Sequence, residues 1–245
     1  DQNIIFTKNK SKAINKNNDL MINAKEFEYN RNRNNIVAKY EVEIIDDIND
    51  IKIISDLITY FKEEEIIFSS GKTSAKIYSK YNFESEDTKL FRNSMKLTSD
   101  KNSIISDTSN LYNLSKFKYL IEKEELTGEN ILVTTDYKLP KSDKFYFSSA
   151  IINLKDQNFI AKDTKIKLNK EIFDNPENDP TLVGISSNKK GEITTLNKGK
   201  FTSCNQKEPC PPWVIQADKI THDKRKKQLN YKNAILKVYN IPVLY

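Results

Sequence analysis

The chain has 245 residues and a mass of 28.5 kDa, enough for one large domain or two small ones with a hydrophobic core. Hydrophobic residues make up 37% and charged residues 30%, which excludes intrinsically disordered and collagen-like chains. The net charge is +6, and no run approaches the roughly 18 apolar residues of a membrane helix.

Short stretches of alternating apolar and polar residues run along most of the chain. The first candidate element, residues 12–25, has helical spacing, but its Asn-rich start favours a loop or a first strand. Residues 37–44 alternate with period two, and residues 145–147, 166–168 and 235–238 continue the same pattern. Their β-branched and aromatic side chains favour the pleated surface of a sheet.

Residues 116–127 are the one remaining candidate for a helix, and we predict a strand there as well. The fold class is therefore predicted to be all-β, with helix below roughly one tenth of the residues. A polar insertion at 174–180 and a hairpin turn at 188–192 interrupt the alternation before the C-terminal part.

An acidic residue followed four or five positions later by an aromatic one recurs down the chain. Examples are Asp56 with Tyr60, and Asp87 with Phe91. A recurring unit of about 20 residues fits two strands and two turns, and such units bury their apolar face only by stacking. The pattern predicts an elongated, twisted two-sheet sandwich or jelly roll built from stacked strand repeats.

Signals of catalysis are almost absent, and we predict that the chain is not an enzyme. The single histidine, His222, stands in a polar stretch and is interpreted as an exposed turn or strand-edge residue rather than a base. One histidine cannot build a multi-histidine metal site, and the five scattered glycines form no phosphate-binding loop. We expect no cofactor and no metal.

The basic charge permits contact with nucleic acid or anionic lipid, because positive charge attracts polyanions. Basic and acidic residues alternate along most of the chain, however, which is typical of solvated faces. No nucleic-acid-binding motif supports such a function, so we predict no nucleic-acid partner.

Residues 201–245 carry an ordered set of motifs. Phe-Thr-Ser-Cys at 201–204 precedes a second cysteine, Cys210, which is followed by Pro-Pro and the only tryptophan, Trp213. An Asn-Ala pair at 233–234 and a Pro-Val-x-Tyr ending at 242–245 complete the set. In this order the segment resembles the end of the periplasmic domain of the LPS-assembly outer-membrane protein family LptD, immediately before that family's β-barrel.

The resemblance implies a particular fold and organisation. Upstream of the C-terminal motifs, the chain resembles the OstA/LptA-type repeat domain in pattern only. The fold implied is the elongated OstA/LptA-like β-jelly roll. The segments are an N-terminal arm or first strand at 1–21, the jelly roll at 22–203, and the Cys/Pro-Pro-Trp segment with the last strands at 204–245, leading to an absent β-barrel.

The resemblance also implies a non-catalytic lipid conduit on the periplasmic side of the outer membrane of a Gram-negative bacterium. The domain would receive lipopolysaccharide from an LptA-like bridge at its N-terminal edge and pass it to its own barrel, with an LptE-like lipoprotein as a further partner. Acyl chains require a continuous apolar trough, and lysines at its open side would meet phosphate. The side chains predicted to line the trough are Val42, Ile44, Ile58, Tyr60, Ile67, Phe83 and Phe91.

The two cysteines leave two pairings open. In the LptD family the cysteine that matches Cys204 forms a disulfide with the barrel, whereas Cys210 departs from the pattern of some members. A turn at residues 207–209 would also let Cys204 and Cys210 pair with each other, which we predict for the isolated domain. Pairing with a barrel thiol is the alternative.

A second class of function stays open beside the conduit: a stand-alone periplasmic or surface β-sandwich that binds a protein or polyanion. An apolar trough along the sheet would favour the conduit. A solid core with one concentrated basic face would favour the sandwich.

Overall fold

The computed structural model describes residues 3–15, 19–169, 178–204 and 212–244. It confirms the all-β prediction, because strands account for 71% of the residues and helix for 1%. Within these ranges the helical part is one 3-10 turn, Arg92–Ser94.

The strand predicted at residues 116–127 is confirmed for residues 116–120 and 125–127, whereas residues 121–124 form a turn between two strands. The hairpin turn predicted at residues 188–192 is confirmed at residues 191–192.

The chain divides into two compact units. Unit 1 contains residues 1–108 and 113–123, and unit 2 contains residues 109–112 and 124–245. The segments predicted from the resemblance follow motifs rather than compactness, and that division stays a prediction. Its first segment contains a strand, because residues 4–14 pair with the next strand of the chain.

Unit 1 is a ladder of antiparallel hairpins that forks. Its strands are β1 (Ile4–Ile14), β2 (Met21–Asn30), β3 (Asn35–Asp46), β4 (Ile51–Phe61), β5 (Ile66–Ile77), β6 (Tyr81–Glu86), β7 (Lys89–Phe91), β8 (Lys96–Ser99), β9 (Ser103–Ser106) and β11 (Lys116–Leu120), while β10 (Leu111–Leu114) has residues in both units. Strands β1 to β5 pair in sequence order. The first half of β5 then pairs with β7, and its second half pairs with β6. Beyond the fork, β7 pairs with β8 and β8 with β11, while β6 pairs with β9.

Unit 2 is a simple antiparallel meander in which each strand pairs with the next. Its strands are β12 (Glu125–Thr134), β13 (Lys144–Asn153), β14 (Asn158–Lys167), β15 (Thr181–Lys190), β16 (Ile193–Thr202), β17 (Trp213–Asp223), β18 (Gln228–Val238) and β19 (Ile241–Leu244).

The long strands of both units are bent near their middle. At the bend the pairing register is interrupted, and in alternate strands a residue adopts a positive φ. Asn, Asp and Gly adopt this left-handed conformation most readily, and they supply most of the bends. The residues with positive φ at these bends are Asn9, Tyr40, Glu41, Gly71, Asn130, Asp163, Lys198 and Asn233.

The bend resets which side chains point inward. On either side of it every second residue is buried, but across it the spacing between buried residues is three, as from Ser55 to Ile58 and from Leu196 to Gly199. In a bent strand with unbroken period two, the apolar side chains of the second half would point to solvent. The extra residue therefore keeps both halves of each strand facing the interior.

The strand halves of unit 1 form two layers. Layer 1A contains residues 42–46 of β3 with the strand segments paired to them, ending with β6 and β9. Layer 1B contains residues 35–39 of β3 with its paired segments, ending with β7, β8 and β11. The ring of Phe83 in layer 1A lies 5.0 Å from Tyr119 and 5.6 Å from Phe117 in layer 1B, so the core lies between the layers.

Unit 2 has the same construction. Layer 2A contains residues 149–153 of β13 with their paired segments, and layer 2B contains residues 144–147 with theirs. The ring of Phe147 in layer 2B lies 4.9 Å from that of Phe159 in layer 2A. In each unit the hairpin turns lie at the strand ends opposite the bends, so turns of the two layers face each other. We call this side the mouth of the unit.

The substitution Gly199→Ala tests the close approach of the layers in unit 2. A Cβ atom at Gly199 would lie 2.7 Å from the side chain of Ile220 in the opposite layer, nearer than carbon atoms pack. We expect the free energy of unfolding to fall by about 1–3 kcal/mol in urea titrations. The added change Ile220→Val should recover part of this loss. An unchanged unfolding midpoint in the single variant would contradict the packing described here.

Candidate functional site

Six of the seven side chains predicted to line a trough point into the interior of unit 1. Each of the six is at most 4% exposed. They are Val42, Ile44 and Phe83 in layer 1A and Ile58, Tyr60 and Ile67 in layer 1B. Burial of this degree also describes an ordinary packed core, so a role in lipid contact stays a prediction for these residues.

The seventh residue, Phe91, lies on the outer face of its strand. Leu90 pairs with inward-facing Ile67 and is 1% exposed, whereas Phe91 pairs with Ile66. The ammonium of Lys96 lies 4.0 Å from the centroid of the Phe91 ring. The inward residue of β7 is therefore Leu90, because a strand of three residues is too short for its alternation to be read from sequence.

Unit 2 contains an unbroken apolar row across layer 2B that the sequence analysis missed. Each strand from β12 to β19 contributes one side chain in register, and at 4.7–4.9 Å per strand the row spans about 33 Å. Its members are Val133, Phe145, Ile166, Leu182, Phe201, Ile215, Leu236 and Leu244. The row runs across the strands, which is the direction that a continuous apolar track requires.

The row leads from a closed core to an uncovered edge. Leu182 and Phe201 are buried, Leu236 is half-buried, and Leu244 in β19 is 65% exposed. The ladder of unit 1 begins in a similar way, because Ile5 in β1 continues an inward row and is 43% exposed. Each of these two ladders thus has an end strand whose inward side chain is not covered.

Arg92 closes the mouth of unit 1. Its guanidinium lies 3.3 Å from carboxylate oxygens of Asp19 and Asp46 and also contacts the carboxylate of Glu65. Asp19 and Asp46 flank turns of layer 1A, whereas Glu65 and Arg92 belong to turns of layer 1B. Because the Arg92 side chain is 10% exposed and that of Asp46 is 1% exposed, this is a buried charge cluster that joins the two layers.

The contacts within this cluster shift the pKa values of Arg92 and Asp19. Burial opposes the charge of Arg92, but Glu65 and Asp46 outweigh it and hold the pKa of Arg92 above its ordinary value. A hydrogen bond from Asn15 and the charge of Arg92 lower the pKa of Asp19.

The mouth of unit 2 is bridged by a weaker pair. The ammonium of Lys224, in the β17–β18 turn of layer 2A, lies 3.8 Å from Asp143 and 4.0 Å from Asp136. These two acids flank the β12–β13 turn of layer 2B. Asp143 is buried and accepts a hydrogen bond of 2.8 Å from the backbone N–H of Asn169. Since Lys224 is half exposed, solvent screens this bridge far more than it screens Arg92.

Just inside this mouth the inward row of layer 2A changes from apolar to polar. In register across the strands, the row reads Leu126, Ile152, Phe159, Lys189, Thr194 and His222. Thr194 is 4% exposed and His222 is 8% exposed. The interpretation of His222 as an exposed turn or edge residue is wrong, because the alternation that buries Ile220 continues through it.

Burial lowers the pKa of both basic side chains in this row. It lowers the pKa of Lys189, although Glu192 and Asp143 act in the opposite direction. It also lowers the pKa of His222, with Asp143 again opposing the shift. The imidazole of the folded protein therefore holds its proton less firmly than that of the unfolded chain.

The cysteine segment is described only in part. Cys204 follows β16, is half-buried, and donates its backbone N–H to the hydroxyl of Thr202 at 3.2 Å. It forms no disulfide with any described residue, and Cys210 lies outside the described residues. Both predicted pairings of Cys204 stay predictions. The ring of Trp213 packs 5.8 Å from that of Phe201.

The described ranges contain no group of three or more His, Cys, Asp or Glu side chains arranged to hold a metal ion. None of their helices has the length and apolar character needed to cross a membrane. The described residues of each unit form an apolar interior with charged side chains at its mouth.

Replacing Arg92 by Met tests the buried cluster in unit 1. The change leaves the carboxylate of Asp46 buried without its cation, so we expect a loss of about 3–5 kcal/mol in unfolding free energy. Arg33→Met, at an exposed position in the β2–β3 turn, removes the same charge and should cost less than about 0.5 kcal/mol. Equal urea midpoints for the two variants would show that the cluster does not join the layers.

The pKa of His222 predicts a specific dependence of stability on pH. Because its pKa in the folded protein lies below the ordinary value of 6.5, the unfolded chain binds more protons as the pH falls through this region. Stability is therefore full above about pH 6.5 and declines as the pH falls towards the folded pKa. Thermal or urea unfolding of His222→Gln should show a flatter profile between pH 7.5 and 5. An identical slope in the two proteins would show that the burial of His222 carries no such linkage.

Comparison with known proteins adds no assignment. No model of a known protein family matches the chain, and no curated protein matches it. The function is therefore argued from the residues and geometry above, together with the motif resemblance of residues 201–245.

Proposed function

We propose that this chain is a lipid-conduit domain of the LptD type, which receives lipopolysaccharide from a periplasmic bridge and passes it to a C-terminal β-barrel. In this proposal its fold is the OstA/LptA-like jelly roll, and it acts on the periplasmic side of the outer membrane. The bent strands, the two layers and the stacked hairpins support this fold. The observation that carries the proposal is the apolar row of layer 2B.

The row has the properties that an acyl chain requires. It presents one apolar side chain per strand over eight strands. An extended acyl chain lying along the row would therefore leave water for an apolar contact at each strand that it crosses. The charged groups lie at the mouth, where Lys224 is half exposed. An amphiphile can therefore place its chains between the layers while its sugars and phosphates stay hydrated outside.

The two uncovered end strands support the addition of partner strands at β1 and at β19. An edge strand with unpaired backbone groups accepts another strand by β-augmentation, and its exposed inward side chains gain cover at the same time. In the proposal, β1 receives the LptA-like bridge protein, and β19 leads towards the barrel and its LptE-like lipoprotein partner. Transfer of a lipid along such a path breaks no covalent bond, so no catalytic residue is assigned.

Two observations favour the alternative function, a stand-alone periplasmic or surface β-sandwich that binds a polyanion or a protein. The interior of unit 1 is packed, with Val42, Ile44 and Ile58 all 0% exposed. The exposed turn at residues 224–227 is also strongly basic. In that case lipid would not enter between the layers, which the following experiment measures directly.

The tripeptide at residues 145–147 provides a matched test. Phe145 and Phe147 point into the interior, and Tyr146 between them points outward. We expect a photo-crosslinking phenylalanine analogue at 145 or 147 to capture lipopolysaccharide, and the same analogue at 146 to capture several-fold less. The measurement is the lipid adduct on an immunoblot after irradiation. Equal capture at all three positions, or capture at 146 alone, would contradict the conduit and favour surface binding.

A further inference from the structure

Three polar side chains in the interior of unit 2 call for an explanation beyond packing. Lys189, Thr194 and His222 are neighbours in the inward row of layer 2A, and the row is apolar at Phe159 on one side and Leu229 on the other. Burying polar groups in an apolar interior is costly unless they find partners. Thr194 and His222 are buried and Lys189 is half-buried, so each of the three depends on polar partners close to it.

Asp143 is the carboxylate that Lys189 and His222 share with Lys224, although Asp136 also lies 4.0 Å from Lys224. Lys224 lies 3.8 Å from Asp143, and Lys189 and His222 are both close enough to Asp143 to interact with its charge. The distance of 3.8 Å exceeds the range of a direct hydrogen bond, whereas the backbone N–H of Asn169 donates to the other oxygen of Asp143 at 2.8 Å. Asp143 thus faces the basic groups without being bonded tightly to Lys224.

We propose that Lys189, His222 and Lys224 form a binding site for a phosphate group of the lipid headgroup, and that the carboxylate of Asp143 occupies this site until phosphate displaces it. The inference rests on the proposed function, because it assigns the headgroup position of the same conduit. Phosphate suits the site better than a carboxylate does. It carries more negative charge and offers three acceptor oxygens to the donors arranged there, which include the hydroxyl of Thr194.

The position of the site along the row fits an amphiphile. Ile152 and Phe159 continue the same inward row away from the polar residues, and Phe159 packs against Phe147 of layer 2B. A phosphate held by Lys224 at the mouth leaves the attached acyl chains beside these rings. The site therefore fixes the headgroup end of the lipid and directs its chains between the layers.

The test compares binding of two lipids, bisphosphorylated lipid A and its dephosphorylated form, to the full chain at fixed ionic strength. We expect wild type to bind the phosphorylated lipid roughly tenfold more tightly. Lys224→Gln should reduce this preference to about twofold or less. Asp143→Asn, which keeps an acceptor for Asn169, should increase the affinity for the phosphorylated lipid several-fold. Lys226→Gln, an exposed lysine in the same turn, is the matched control and should change neither affinity more than about twofold.

The outcomes separate this inference from the proposed function. If both lipids bind equally well and crosslink at Phe147, the conduit stands and the phosphate site is overturned. If neither lipid binds, both are overturned. Titration with inorganic phosphate, followed by the imidazole resonances of His222, identifies the source of the phosphate. Inorganic phosphate that binds as tightly as lipid A would overturn the assignment to a headgroup, and an unchanged affinity in Asp143→Asn would overturn the role of Asp143.

Discussion

The bend in the middle of each long strand is the constraint on which the rest of this structure depends. An unbroken strand of ten or more residues with one buried face forms a flat layer that still needs a partner. Here the three-residue spacing at the bend, as from Leu196 to Gly199, lets one strand supply both layers with inward side chains. The interior, the apolar rows and the mouths all follow from it. Turns of both layers then lie on the same side, which brings charged turn residues of opposite layers together.

The two mouths use this proximity in different ways. In unit 1, Arg92 is almost completely buried among carboxylates from both layers. Opening that mouth would therefore separate several buried charges from their partners at once. In unit 2, the bridge between Lys224 and Asp143 is longer, and its lysine is half exposed, so solvent or a competing anion replaces it at little cost. Opening the mouth of unit 1 therefore costs more free energy than opening that of unit 2.

Local pattern was enough to predict the strands, but not the relations between them. Ile58 and Tyr60 face the interior, as the alternation within one half-strand indicates, and their role in lipid contact stays a prediction. Phe91 lies on the outer face of a strand too short for its alternation to be read. The exposed position predicted for His222 is wrong, because polar neighbours hid the alternation of β17. The row from Val133 to Leu244 was missed for a different reason: it depends on the register of seven separate pairings. The buried-to-buried spacing of three at the bends is the signal that would have aligned these strands.

The asymmetry between the layers of unit 2 bears most directly on function. Two inward faces that serve only to pack against each other gain most when both are apolar, since a buried lysine or imidazole loses hydration without adding close packing. Layer 2B follows this rule along its whole row, whereas layer 2A breaks it at Lys189, Thr194 and His222, in neighbouring strands β15 to β17. The arrangement suits the lipid of the proposed function, which is apolar at one end and anionic at the other, because one layer can then solvate its chains while the other holds its charge.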